Sequence, residues 1–189
     1  MLEIFDDMDA INQDSIASLI DKVPAWRREE ALKFKHQFGQ FASLKSYCML
    51  QRMIGSADKV SDWGYGENGK PFLKQLKGTH FNISHCKKGI AVAVDTEPIG
   101  VDIEAIKQPS DGLIDKVMNA KEAALINASA NPSLAFTRLW TQKEAVCKLT
   151  GTGITDFMQD TLTPDIYCLH TVENIEKGYV YTIAKFKTT

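Results

Sequence analysis

Long hydrophobic runs are missing from this chain. No stretch approaches the ~20 consecutive apolar residues of a membrane-spanning helix, so no membrane association is expected. A surplus of positive charge is missing as well. With 22 Lys and Arg against 24 Asp and Glu, the formal net charge is −2, which speaks against nucleic acid as the partner. The N-terminus, Met1 to Asp9, is acidic and has no basic n-region of a signal peptide. Cysteine is sparse: Cys48, Cys86, Cys147 and Cys168 are irregularly spaced and form no C-x-x-C pair. Cys48 and Cys147 fall in helical patterns and Cys168 in a strand pattern, so they read as small buried hydrophobes. A reduced, cytoplasmic compartment fits this usage. What is present is ordinary for a soluble globular protein: 189 residues, 44% apolar and 24% charged. That length suffices for one large domain or two small ones with real cores.

The most informative stretch is Phe136 to Gly151, which reads as a helix with Gly151 as its stop. Pro132-Ser133 opens it. Trp140, Glu144, Cys147 and Lys148 recur at three- and four-residue spacings. This stripe carries a carboxylate and an ammonium on a face that is otherwise apolar. On this helix alone, a surface i, i+4 ion pair worth a few tenths of a kcal/mol is the plainer reading.

A second stretch, Ile99-Gly-Val-Asp-Ile-Glu104, reads as a strand. Its period of two points Asp102 and Glu104 to one face and Val101 and Ile103 to the other. Adjacent acids on one strand face repel each other, and a divalent cation would offset that cost. Hard cations such as Mg²⁺ take oxygen ligands, usually a few carboxylates completed by substrate phosphates. Asp102, Glu104 and Glu144 would make a three-carboxylate site with Lys148 one turn beyond, a constellation suited to phosphoryl or pyrophosphate chemistry.

Four short motifs follow one another over roughly residues 65 to 151: Gly69-Lys-Pro71, Phe81-Asn-Ile-Ser-His85, Gly100-Val-Asp-Ile-Glu104 and Trp140-Thr-Gln-Lys-Glu-Ala-Val-Cys-Lys148. In this order and at these separations the chain resembles the 4′-phosphopantetheinyl transferases of the surfactin-synthetase-activating (Sfp-like) type. One departure stands out. The family usually shows Ser after the motif's His, where this chain has Cys86.

The rest of the chain is read in order. Residues 11 to 23 form a short helix ended by Pro24, and Trp26 to Ile54 are helical with Gly39 as a divider. Arg27 and Arg28, with Lys33 and Lys35 beyond them, are either a solvated basic edge or a patch holding phosphate oxygens in pairs. The resemblance implies contact with the 3′-phosphate of coenzyme A. Residues 55 to 69 read as a loop, and Lys70 and Pro71 as a turn before a strand; the resemblance makes them a lining of the coenzyme A site. Strands follow at 81 to 84, 89 to 94 and 99 to 103, in antiparallel order. Asn82, Ser84 and His85 gather at a strand end, where polar groups are presented to a ligand. Short helices at 113 to 118 and 120 to 128 come next. Asn119 and Glu122 read as a cap related to the capping box. Two further strands, 166 to 172 and 179 to 186, close the sequence.

This order suggests an α+β fold in two halves of similar build, 1–98 and 99–189; the resemblance gives the first the coenzyme A-binding elements and the second the metal-binding and catalytic ones. The resemblance implies a pseudo-twofold arrangement with the active site between the halves. It implies Mg-dependent transfer of 4′-phosphopantetheine from coenzyme A to a serine of an apo acyl or peptidyl carrier protein, releasing adenosine 3′,5′-bisphosphate. Asp102, Glu104 and Glu144 would hold Mg²⁺, and Glu144 would accept the serine proton. Lys148 would serve the leaving oxygen and Lys143 the pyrophosphate. Lys70, Ser84 and His85 would hold the nucleotide, and Trp140 would anchor the helix in the core. A monomer suffices for such a site. The other reading is a non-catalytic coenzyme A- or carrier-binding module descended from such an enzyme.

Overall fold

The computed structural model describes residues 1–66, 68–153, 158–162 and 165–188. Glu67, within the segment read as a loop, lies outside the described residues. The chain opens with β1 (Leu2–Phe5), then α1 (Gln13–Ile20), α2 (Ala25–Leu32), α3 (Gln37–Ile54) and the short α4 (Ala57–Val60). Next come β2 (Trp63–Tyr65), β3 (Pro71–Leu73), β4 (His80–Cys86), β5 (Gly89–Asp95) and β6 (Gly100–Ala105). Helices α5 (Asp111–Val117), α6 (Ala120–Ala128) and α7 (Pro132–Thr150) follow, and β7 (Tyr167–Asn174) and β8 (Tyr179–Phe186) finish the fold. It is α+β, as the alternation of patterns predicts. Among the described residues no helix is long and apolar enough to cross a membrane.

Two three-stranded antiparallel sheets organise the molecule, in orders β1-β5-β4 and β6-β8-β7. Each begins with an edge strand, passes through helices, and ends with a hairpin whose last strand takes the centre. The sequence reading missed β1. Its four residues, Leu-Glu-Ile-Phe, are too few to show a period, and the strand exists because it pairs with β5 from Leu2 opposite Ala93 to Phe5 opposite Ile90. The unbroken apolarity of β5 also has its reason here. Ile90, Val92 and Val94 pack into the core under α3 with Leu44, Tyr47 and Phe81, while Ala91 and Ala93 face Val101, Ile103 and Tyr179 of the second sheet. A central strand between two packed layers has no polar face to show.

Sequence and structure differ elsewhere in detail. The break expected at Gly39 falls at residues 33–36, before α3 begins. Gly39 is instead where the ring of Phe34 packs, since a Cβ there would sit 2.7 Å from Phe34 Cδ1. Of the cysteines only Cys147 is buried; Cys48 and Cys86 are half-buried and Cys168 is exposed. Cys168 lies on β7, an edge strand covered on one side only.

The sheets meet where the face of β4 and β5 that carries Asn82, Ser84, Ala91 and Ala93 packs on β6, and side chains bridge this seam. Asn82 Oδ1 accepts from Val101 N at 2.8 Å and Ser84 Oγ from Ile103 N at 3.3 Å. Alternation puts both side chains on one face of β4, where they satisfy two amides of the neighbouring edge. Helix α7 lies across the second sheet and touches β6 closely. A Cβ on Gly100 would fall 2.0 Å from Ala145 O and 2.5 Å from Leu149 N, so only glycine fits. The helix ends at Gly151 with φ 74°, a left-handed stop accepting no side chain without strain.

Candidate active site

Strand β6 delivers Asp102 to the seam. The carboxylate is 2% exposed. Its Oδ1 accepts from Lys148 Nζ of α7 at 2.6 Å and from Ser84 Oγ of β4 at 2.8 Å, and Lys148 Nζ also reaches Ser84 Oγ at 2.8 Å. One carboxylate, one hydroxyl and one ammonium thus close a triangle across β6, β4 and α7. The i, i+4 ion pair of Glu144 with Lys148, the modest reading of this helix face, is not what forms. Lys148 turns to Asp102 instead.

Glu144 lies one turn before Lys148 and is 7% exposed. Burial, then the charge of Asp102, raises its pKa from 4.5 to about 7, against the lowering pull of Lys148. Its Oε1 has no hydrogen-bond partner, nor has Asp102 Oδ2, and both atoms are buried. Glu104 is raised too, first by burial and then by Asp102. Its Oε1 accepts from Trp140 Nε1 at 3.2 Å, and Lys107 Nζ stands 3.9 Å from Oε2. Trp140 also stacks on Phe136 at 6.1 Å. Sequence reasoning gave Trp140 a core role only. Its place on the stripe with Glu144 and Lys148 was the available signal that the indole N–H faces the acids.

Two unpartnered buried carboxylate oxygens are costly in a protein interior, and a hard cation would satisfy both. The donor set therefore fits Mg²⁺, a metal that keeps waters and takes one or two carboxylates with substrate phosphates. Among the described residues, however, no three His, Cys, Asp or Glu side chains are gathered to enclose a metal by themselves. The expected three-carboxylate cage is not assembled in advance. Lys148 occupies Asp102 Oδ1, and Trp140 holds Glu104 Oε1.

The other expected residues divide. Arg27 reaches the site: it lines a cavity of about 340 Å³ with Ser84, His85 and Lys148. Its Nε and Nη2 donate to Ser43 O at 3.2 and 2.9 Å, and its guanidinium lies 4.9 Å from the Trp63 ring centroid. Arg28, next in the helix, points away. Its Nη2 donates to Ile20 O at 3.3 Å, beside Asp21. Helical geometry turns successive residues about 100° apart, and here the two guanidinium groups meet different partners. His85 keeps an exposed edge and packs against Phe38 at 5.7 Å. Its pKa is lowered, first by the crowding walls and then by the Lys148 ammonium.

Lys143 is a clear correction. It is 0% exposed, and its Nζ bonds Met158 O at 2.6 Å, Gln159 O at 3.1 Å and Glu122 Oε2 at 2.9 Å. All three ammonium protons are used, so no pyrophosphate can reach it. Glu122 meanwhile closes a capping box with Asn119, as expected of it. Lys70 donates to Leu149 O at 2.8 Å and Ile99 O at 3.4 Å, favourably placed at the negative end of α7. Asn82 spends its oxygen on Val101. Pro71 lies where three cavities adjoin: the one already described, one of about 320 Å³ lined by Lys70, Glu144, Cys147 and Lys148, and one of about 470 Å³ lined by Asn68, His80 and Thr152.

The chemistry of this arrangement is a buried acid pair, one member raised toward neutrality, beside an ammonium that lines two of the cavities adjoining at Pro71. Comparison with known proteins agrees with it. Residues 98–183 match the family model of the 4′-phosphopantetheinyl transferase superfamily. The chain is 29% identical over 150 residues to the 4′-phosphopantetheinyl transferase ffp of Bacillus subtilis, covering 76% of this chain and 67% of that protein. It is 42% identical over 89 residues to psf-1 of Bacillus pumilus, covering 46% and 38%. A further 4′-phosphopantetheinyl transferase of Bacillus subtilis is 30% identical over 138 residues, covering 70% and 62%. The matches thus span from 38% to 67% of these relatives' own length. The four motifs meet at one seam in a chain whose residues 98–183 match the 4′-phosphopantetheinyl transferase superfamily model and which is similar to these transferases over part of their length.

Proposed function

We propose that this protein transfers 4′-phosphopantetheine from coenzyme A to a serine hydroxyl of an apo carrier protein and releases adenosine 3′,5′-bisphosphate. One observation carries the reading. At the seam where β4 and α7 meet β6, Asp102, Glu144 and Lys148 converge with two carboxylate oxygens left unpartnered. Such a group suits a phosphate-bearing substrate and its counter-cation, because bonds across the seam leave those two oxygens free.

Asp102 and Glu144, with Glu104 beside them, would hold Mg²⁺, which when bound neutralises charge growing on the pyrophosphate. The carrier serine oxygen attacks the phosphorus on the pantetheine side. A new P–O bond forms, the bridging P–O bond breaks, and the electron pair leaves on the nucleotide phosphate. Glu144, whose buried Oε1 has no other partner, takes the serine proton. Lys148 has bonds to Asp102 and Ser84, which leaves one ammonium proton for the departing oxygen. Arg27 and His85 supply the polar wall for coenzyme A phosphates from the first half. Lys70 and Pro71 shape the cleft floor between them.

The test is intact-mass spectrometry of apo-carriers from fatty-acid, polyketide and peptide synthesis, incubated with the protein, coenzyme A and Mg²⁺. A gain of one phosphopantetheine group on a carrier supports the proposal. Binding of coenzyme A by calorimetry with every carrier left unmodified would replace it with the binding-module reading.

A further inference from the structure

Sheet–helix interfaces are normally apolar, yet a row of hydroxyls runs beneath α7. In the second sheet Asp102 of β6 stands directly opposite Thr182 of β8, and Thr182 directly opposite Thr171 of β7. Residues directly opposite share a face, so all three point toward the helix. Thr141 and Thr182 are each 0% exposed. Thr141 Oγ1 lies 3.0 Å from Thr182 Oγ1, and Thr182 Oγ1 lies 2.9 Å from Thr171 Oγ1. Gln142 Nε2 donates to Thr171 Oγ1 at 3.1 Å, and Thr141 Oγ1 donates to Arg138 O at 2.9 Å.

Proton counting fixes the direction of this chain. Each threonine has a single hydroxyl proton. The proton of Thr141 goes to Arg138 O, so Thr182 must donate to Thr141. Thr171 must then donate to Thr182, and its own oxygen receives Gln142. The chain leaves α7 at Gln142, crosses the sheet through Thr171 and Thr182, and returns to α7 at Thr141 and Arg138. It holds only for one rotation and one height of the helix. Its centre lies opposite Asp102, and its helix end lies one turn before Glu144.

We infer that Thr182 is a positioning residue: through this closed hydroxyl chain it pins α7 so that Glu144 and Lys148 meet Asp102. The close packing of α7 on Gly100 fixes its distance from β6, and the hydroxyl chain adds a directional constraint on its rotation and height. Apolar side chains tolerate small slides that directional bonds between buried groups do not. The kinetic arm of the inference rests on the transferase reading above; the structural arm does not.

Thr182→Val keeps the branched shape and volume and removes the central link. Thr182→Ser keeps the link and removes a methyl. Thr171→Val breaks the same chain one step earlier, at a less buried site. Amide hydrogen exchange, measured without substrate, should show the α7 amides from Thr141 to Lys148 opening about tenfold faster in both valine variants. Those of α3 should be unchanged. In the transfer assay kcat should fall about tenfold or more while KM for coenzyme A holds, because misplacement by a fraction of an ångström acts on the reacting geometry. Thr182→Ser should recover protection and kcat together. Wild-type protection in both valine variants, or a serine variant as impaired as valine, would overturn the pin. Intact protection changes with no transfer by the wild type would retain the pin and remove the transferase reading.

Discussion

Glu144→Gln should make the protein more stable as the pH rises, relative to wild type, while abolishing transfer. The Glu144 carboxyl titrates near 7 in the folded chain, against 4.5 for an ordinary glutamate. The folded state therefore binds more protons than the unfolded state between those values. Its stabilising contribution is fully present below pH 4.5 and is lost as the pH rises through about 7. A gap of this size corresponds to about 3 kcal/mol at mildly alkaline pH. Glutamine has the same shape and no titration. Its amide still lacks a partner at the Oε1 position, which costs about 1–3 kcal/mol, but that cost is independent of pH. The informative quantity is the difference between the two proteins as a function of pH. Urea unfolding in chelator, at a series of pH values from about 4.5 to about 8, should show the variant gaining about 3 kcal/mol on wild type across the range. In thermal melts this amounts to about 6–12 °C. Parallel stability curves would refute the reasoning, since they would mean that Glu144 is neither desolvated nor repelled by Asp102. Transfer activity should fall by orders of magnitude in the same variant, as the proposed roles of Glu144 as metal ligand and base require.

Asp102→Ala should lose activity and stability together, because Asp102 is buried and removing it strands Lys148 and Ser84; a loss of about 3 kcal/mol or more in urea unfolding is expected. Tolerance of that change, with an unaltered melt, would mean the seam is not held by this triangle. Lys143→Met should destabilise by a similar amount, since it strips the buried Glu122 carboxylate of its counter-charge and takes the ammonium from two carbonyls that keep only weaker amide donors. In the protein that still folds, KM for coenzyme A should be near wild type, whereas a large rise would restore a phosphate role to Lys143. Arg27→Ala should raise KM for coenzyme A more than Arg28→Ala, because only Arg27 lines the cavity with His85 and Lys148. Equal effects of the two, measured by steady-state kinetics, would count against this division.

Periodicity and punctuation settled much of this fold in advance. The span of α6, the start of α7 at Pro132 and its stop at Gly151 are written in caps, a proline and a glycine, which act within a few residues. The span of β8 was equally legible as an apolar run bounded by Lys177-Gly178. The residues that converge at the seam were legible too, because Asp102, Glu144 and Lys148 are chemically conspicuous on otherwise apolar elements. What the sequence did not contain is which neighbour covers each face. A period of two places Asp102 with Glu104, but it cannot say that Asp102 is buried against Ser84 and Lys148 while Glu104 meets an indole. The same holds for Lys143 and Lys148, two lysines of one motif. One ends inside a core turn and the other at the carboxylates, because successive helix positions diverge and only the packed neighbours decide what each direction meets. Strand β1 and the hydroxyl chain under α7 depend on partners roughly 90 and 40 residues away along the chain. Local pattern determines an element and its faces; long-range contact alone determines burial, partner and charge state, and these make the site.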